Sequence, residues 1–297
     1  MEKIIEIFIF LLGLNIFLVT AINAQGKASS DVPIQYEELT APEFLVAVEK
    51  SSQTCIIPFG VLEKHGPHLP LGTDLLDVRE IATRAARQEY TIIFPEYYFG
   101  QIFEAKHQPG TIAYSHRLIW DLLQETCVEL ARNGLKKIII VNGHGGNNNF
   151  LKYFCQVQLA QRRDFAVYLF EPTEDPEIKK LMQTNFDYHA GETETATMLV
   201  HRPDLVHLDR ANLQSGADQK RLQDLPHTYT GIWWYAQFPN HYAGDGGPGN
   251  PELGEKIISS RVNQLVQMLQ AVKKDQKVRE LQQQFFDEAE QPLETRQ

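Results

Sequence analysis

The sequence is short of most features that would mark an unusual chain. Only three cysteines occur, Cys55, Cys127 and Cys155, in 297 residues, which excludes a disulfide scaffold and leaves an exported chain unable to pair them all. Each reads as a small buried hydrophobe, and a single disulfide stays open. Positive charge is also scarce: 28 Lys and Arg stand against 38 Asp and Glu, for a net charge of −10. With no Lys/Arg-rich block, such a chain repels a phosphate backbone, so no nucleic-acid partner is expected. No internal repeat is present. Hydrophobic residues make up 43% and charged residues 22%, so neither disorder nor a collagen-like fibre is indicated. A chain of this length forms one large domain or two small ones.

One long apolar run does occur. Residues 7–19 (IFIFLLGLNIFLV) follow Lys3 and precede the small residues Ala21 and Ala24, which reads as a signal peptide over 1–24 and a secreted or periplasmic protein. An N-terminal membrane anchor is the alternative, although Glu6 and Asn15 interrupt a stretch that needs about 20 apolar residues to span. No stable membrane span is expected once the signal is cleaved. Small polar residues over 25–33 make a linker; the domain proper is expected over 34–272. The polar tail 273–297 is expected to be a peripheral helix or disordered.

Within the domain, short apolar runs alternate with amphipathic ones. TCIIPFG (54–60), TIIFP (91–95), KKIIIVNG (136–143) and FAVYLFEP (165–172) read as buried strands. Residues 75–88, 116–133, 147–163 and 252–272 carry apolar residues at helical spacing, with Gly134 as a stop. This strand-helix alternation predicts an α/β fold, a mostly parallel central sheet covered on both faces. Sites in such sheets form beyond the carboxyl ends of the strands, which is where the unusual residues fall.

The loop after the first strand offers Glu63, His65, His68 and Asp74, a mixture of imidazole and carboxylate suited to zinc, manganese or iron. In an extended segment residues two apart point the same way, so Glu63 and His65 can face one centre. The ordinary readings are a surface acid, hydrogen-bonded loop histidines, and Asp74 as a helix N-cap. The loop after the third strand, Asn142-Gly143-His144-Gly145-Gly146-Asn147, lets backbone approach a ligand closely. A phosphate cradle is the alternative there, but neither G-x-G-x-x-G nor a Walker lysine is present. A third segment holds His189, Glu192 and Glu194. On a helix the two glutamates diverge by about 200°, so at most one faces the site, and Glu192 reads as an acid at a helix start. His107 and the DGGPGNP loop at 245–251 read as pocket-lining loops or as structural turns. Trp233 and Trp234 line a pocket or belong to core or subunit interface.

Taken together, these segments resemble the creatininase (creatinine amidohydrolase) family. E-x-H-G-x-H-L-P-x-x-x-D is matched from Glu63 through Asp74, G-H-G-G-N at 143–147, and H-A-G-x-x-E-T from His189 to Thr195. His107-Gln108-Pro109-Gly110-Thr111 and the Gly-Asp-Gly loop from Gly244 fit as weaker features. The resemblance implies a three-layer α/β/α sandwich with a binuclear centre of two divalent ions, zinc, manganese or iron. It places Asp74 as the bridge, Glu63 and His144 on one ion, and His65 on the other. The namesake enzyme has a glutamate where this chain has Gly146, so Glu194 is assigned as the fifth ligand, with a catalytic role as its alternative. His189 is left as catalytic acid or base, and His68, His107 and Gly145 as substrate-binding candidates.

The implied activity is hydrolysis of a carbon-nitrogen bond in a cyclic amide, formamide or short peptide by a hydroxide activated at the two ions. The aromatic residues expected around a creatinine ring are replaced by Gly145 and Asn185-Phe186, which argues against creatinine itself. A homo-oligomer, such as a hexamer, is also implied. The rival reading is an exported solute-binding protein on the same scaffold without turnover. A nucleotide-dependent transferase would need phosphate-binding amides with a cationic partner, which the sequence does not offer.

Overall fold

A computed structural model describes residues 32–295; the expected signal peptide and residues 25–31 of the linker lie outside the described residues. Four strands form one parallel sheet: β1 (Thr54–Phe59), β2 (Ile92–Ile93), β3 (Lys137–Asn142) and β4 (Ala166–Phe170), in the order β2-β1-β3-β4. The helices are α1 (Ala41–Lys50), α2 (Thr73–Gln88), α3 (His116–Arg132), α4 (Asn148–Val157), α5 (Pro176–Lys179), α6 (Glu192–His201), α7 (Trp233–Gln237), α8 (Pro251–Lys274) and α9 (Lys277–Ala289).

Their starts follow local chemistry. Thr40 and Glu43 form a capping box on α1, Ser115 accepts the Leu118 N–H at the start of α3, and Asn250 followed by Pro251 starts α8. After α3 the chain reverses at Gly134, where the Leu135 N–H bonds the Leu130 carbonyl.

Strand alternation sorts the core into two layers. Cys55, Ile57, Phe59, Ile138 and Ile140 face one side, where Ala47 of α1, Leu123 and Cys127 of α3, and Leu151 and Phe154 of α4 cover them. Ile56, Ile139 and Val141 face the other, against Val78, Ile81 and Ala85 of α2 and Ile258, Val262 and Leu265 of α8. Helices on both faces of a parallel sheet make the expected three-layer α/β/α sandwich. Each fully buried side chain such as Leu123 stabilises it by roughly 1.5–3 kcal/mol.

This layering locates the site. The helix after β1 packs on one face and the helix after β3 on the other, so the neighbouring pair β1 and β3 is the sheet's topological switch point. The crevice beyond their carboxyl ends receives the loops 60–72 and 143–147.

Several expectations change in detail. The 91–95 strand narrows to two residues, because the Phe94 and Tyr97 N–H groups follow β1 by single bonds to Ile56 and Pro58 carbonyls rather than as a continuous ladder. The 147–163 helix ends at Val157 and tightens into a 3₁₀ turn over Gln158–Ala160. The 273–297 tail carries helix α9, held by the buried ring of Phe286. All three cysteines are free; Cys55 and Cys127 are buried, whereas Cys155 is only half-buried. Among the described residues no helix is long and apolar enough to cross a membrane.

Candidate metal centre

Four segments deliver side chains to the crevice. Beyond β1 the chain is pinned as an extended stretch by the Glu63 N–H to the Leu71 carbonyl (3.0 Å) and the Leu69 N–H to the His65 carbonyl (3.2 Å). Glu63 and His65, two residues apart, therefore share one side, and both are fully buried. Asp74 lies in the first turn of α2, whose N-cap is Gly72; its carboxylate is thus free of capping duty. The loop after β3 closes tightly on α2: a Cβ at Gly143 would lie 2.5 Å from the Asp74 carbonyl oxygen, so only glycine allows this approach. One residue later His144 projects into the crevice. Glu194 arrives from the first turn of α6.

Asp74 sits in the middle. Its Oδ1 is 3.0 Å from His65 Nε2, and its Oδ2 is 3.2 Å from His144 Nδ1. His144 Nδ1 also lies 2.8 Å from Glu63 Oε1. Two ligand triads result, Glu63 with Asp74 and His144, and His65 with Asp74 and Glu194; within each the donor atoms lie within 4.8 Å of one another. A third such group joins Glu63, His65 and His189. Backbone carbonyls set two tautomers. In its neutral form the His65 ring donates from Nδ1 to the Glu63 carbonyl (3.2 Å), and Nε2 faces Asp74 Oδ1. His189 Nε2 donates to the Lys64 carbonyl (2.8 Å), which leaves Nδ1 facing Glu63 Oε1 (3.9 Å) and Glu194 Oε2 (4.0 Å).

The electrostatics ask for cations. Glu63 Oε1 and Asp74 Oδ2 are buried without a hydrogen-bond donor, which costs stability unless a cation meets them. Burial alone would raise Glu63, but the His144 and His189 rings hold its carboxyl well below the usual range. Burial would depress His65, yet Asp74 and the other carboxylates bring it up to about 10. His144 is likewise raised well above its ordinary value, because Glu63 outweighs burial. Burial pushes Glu194 up to about 8 and His189 down to about 3. Three carboxylates and two metal-type imidazoles, with lone pairs converging and oxygens unpaired, suit divalent ions of the zinc or manganese type.

The other sequence candidates fall around this cluster. Glu192 turns away, as read: it accepts from the Gln183 and Thr184 N–H groups and the Thr184 hydroxyl, fixing the 183–184 loop. His68 is buried but outside the triads, with Nε2 2.9 Å from Thr195 Oγ1. His107 is exposed and bonds the Pro239 carbonyl at 2.7 Å. Gly145 faces open space beside His144.

Two residues escaped the sequence reading. His241 hydrogen-bonds Glu63 Oε2 and receives the Trp234 indole N–H at 2.8 Å. Glu104 lies with Oε1 3.8 Å from His144 Nε2. A Cβ at Gly146 would come within 2.3 Å of that nitrogen and 2.5 Å of the Glu104 oxygen, so Gly146 makes room for both. The only sequence signal for either residue is the polar character of its loop.

Known proteins resemble this chain in sequence and in fold. A family model described as creatininase, creatinine amidohydrolase, matches residues 37–269. The chain is 30% identical over 191 residues to a creatinine amidohydrolase of Pseudomonas putida, covering 58% of this chain and 74% of that one. It is 31% identical over 163 residues to a mycofactocin precursor peptide peptidase of Mycolicibacterium smegmatis, covering 52% of this chain but only 60% of the relative. A solved creatininase variant of the Zn-Zn type superposes with a TM-score of 0.70 at 22% identity, over 82% of this chain and all of that one.

Proposed function

This chain belongs to the creatininase family, and on that premise we propose that it is a metal-dependent amidohydrolase with a binuclear centre. Asp74 would be shared between the two ions, with Glu63 and His144 holding one and His65 and Glu194 the other. The observation that carries this reading is that each oxygen of one carboxylate meets a different imidazole, Oδ1 facing His65 and Oδ2 facing His144. Two divalent ions held there would supply a water nucleophile near neutral pH and Lewis acidity toward a carbonyl oxygen.

The chain's own groups handle the proton. His189 is neutral at pH 7 because burial depresses it, and its Nε2–H is committed to the Lys64 carbonyl. Its Nδ1 is therefore the free ring nitrogen, facing Glu63 and Glu194 and placed to pass a proton toward the departing nitrogen. Glu194 Oε2 lies 4.0 Å from that nitrogen. The Gly143 N–H is bonded to the Phe59 carbonyl, so it does not serve the developing oxyanion.

The substrate is a small amide, either a cyclic amide or formamide or a short peptide. Gly145 leaves open space where an aromatic ring would narrow the mouth, and the relatives named above act on creatinine and on a precursor peptide by their names. Export through residues 1–24 and assembly as a homo-oligomer belong to the same proposal. Self-association is supported by Leu213, Leu225, Tyr229 and Ile232, which are exposed in one stretch of chain.

The test is turnover. Zinc- or manganese-loaded protein is offered a panel of cyclic amides, N-formyl compounds and short peptides, before and after chelation. The expected result is hydrolysis of at least one class, lost with chelator and restored by metal. Binding of a panel member with no hydrolysis at full metal loading would replace the enzyme with a binding protein.

A further inference from the structure

Resting on the metal-centre reading, a second device becomes visible behind Glu63. An indole N–H can only donate. Trp234 Nε1 lies 2.8 Å from His241 Nδ1, so that ring nitrogen must be the acceptor. The proton of the neutral His241 ring then sits on Nε2, which faces Glu63 Oε2 at hydrogen-bonding distance. The direction runs one way, from Trp234 to His241 to Glu63. His241 is 1% exposed and Glu63 is fully buried, so water does not compete for either bond. One oxygen of Glu63 is thereby occupied, while the other, Oε1, has no donor and lies 2.8 Å from His144 Nδ1.

We propose that Trp234 and His241 form a positioning relay that makes Glu63 a one-oxygen ligand of the ion on the His144 side, and so sets the affinity of that position separately from the other. His241 holds a φ of +55°, a region costly for a residue with a side chain, and its imidazole is the group that both bonds require. Trp234 and His241 bond neither His65 nor Glu194, whose hydrogen bonds go to the Glu63 carbonyl, Asp74 and the Ala190 N–H, so the relay's own bond to the centre is to the Glu63 carboxylate. The His189 ring lies between His65 and His241, with centroids 4.4 and 4.5 Å away, tilted against the first and edge-on to the second.

The experiment uses the full chain and zinc as the probe, with stepwise zinc constants from chelator competition and the His241 tautomer from ¹⁵N NMR of the metal-free protein. His241→Phe keeps a ring and removes both bonds; one zinc constant should weaken by about 10–100-fold, the effect typical of groups that orient a ligand, with the other unchanged. His241→Gln, whose amide can still donate to Glu63, should recover most of that loss. Trp234→Phe removes a single N–H; it should give a smaller loss and convert a pure Nε2–H tautomer into a mixture, and it keeps the proposal testable if His241→Phe fails to fold. Unchanged constants, or equal weakening of both with no rescue by glutamine, would overturn the relay. So would an Nδ1–H tautomer in wild-type protein that binds two zinc ions. Wild-type protein with the Nε2–H tautomer and no zinc uptake would instead overturn the metal reading, and the ligand-positioning role with it.

Discussion

The two halves of the proposed centre share Asp74 but are built differently. On one side Glu63 and His144 come from the loops directly after β1 and β3, are almost wholly buried, and are backed by His241 and Glu104. On the other side His65 pairs with Glu194, which arrives on α6 with a side chain 25% exposed. Glu194 is steadied by the N–H of Ala190, itself at a φ of +55°. The first half is part of the sheet framework. The second is assembled across the gap between a loop and a helix packed from the side. In the proposed centre the rigid, dry position would bind its ion more tightly, whereas the position with one partly exposed ligand would exchange its ion and admit substrate.

Substitutions can break this contrast or sharpen it. The largest effect should come from Asp74→Asn, which keeps the shape and removes the charge that both halves use. Both ions should weaken by more than about 100-fold, beyond what removing an outer group costs, and turnover should fall to background; metal analysis of the purified variant checks it. Glu194→Gln should separate the halves. One ion per chain should remain, on the Glu63 side, while kcat falls by about 10²–10⁴-fold, the range for loss of a group that assists proton transfer; metal content and kcat measured on the same sample decide this.

The smallest effect concerns His68, whose bond to Thr195 ties the first loop to α6 and so braces the gap between the halves. Burial lowers it from the ordinary 6.5 to about 4. The unfolded chain therefore binds the proton first, and the stability this group contributes is present above pH 6.5 and lost as pH falls toward 4. Thermal melts across that window should show wild type declining more steeply than His68→Gln.

Much of this was legible in one dimension, for physical reasons. Apolar runs of strand length, separated by helical periodicity, specify a buried parallel sheet, and the ligand-rich loops follow its two central strands. Glu63 and His65 could be paired because extended backbone has a period of two, and Glu192 set aside because helical backbone does not. What was not legible depends on contacts between distant segments. His241 is 178 residues from Glu63 in the chain, and no spacing pattern links the two. Glu104 reaches His144 only because Gly146 leaves space, a fact about volume rather than pattern. Spacing alone also left His68 as a substrate-binding candidate, whereas the chain bends at Gly66, with φ +56°, and its ring meets Thr195.

The most direct test of the account is anomalous diffraction at the zinc edge from crystals of the zinc-loaded protein. The account predicts two peaks per chain, one among Glu63, Asp74 and His144 and one among His65, Asp74 and Glu194, with the first more fully occupied. A single peak, or peaks that do not share Asp74, would contradict it.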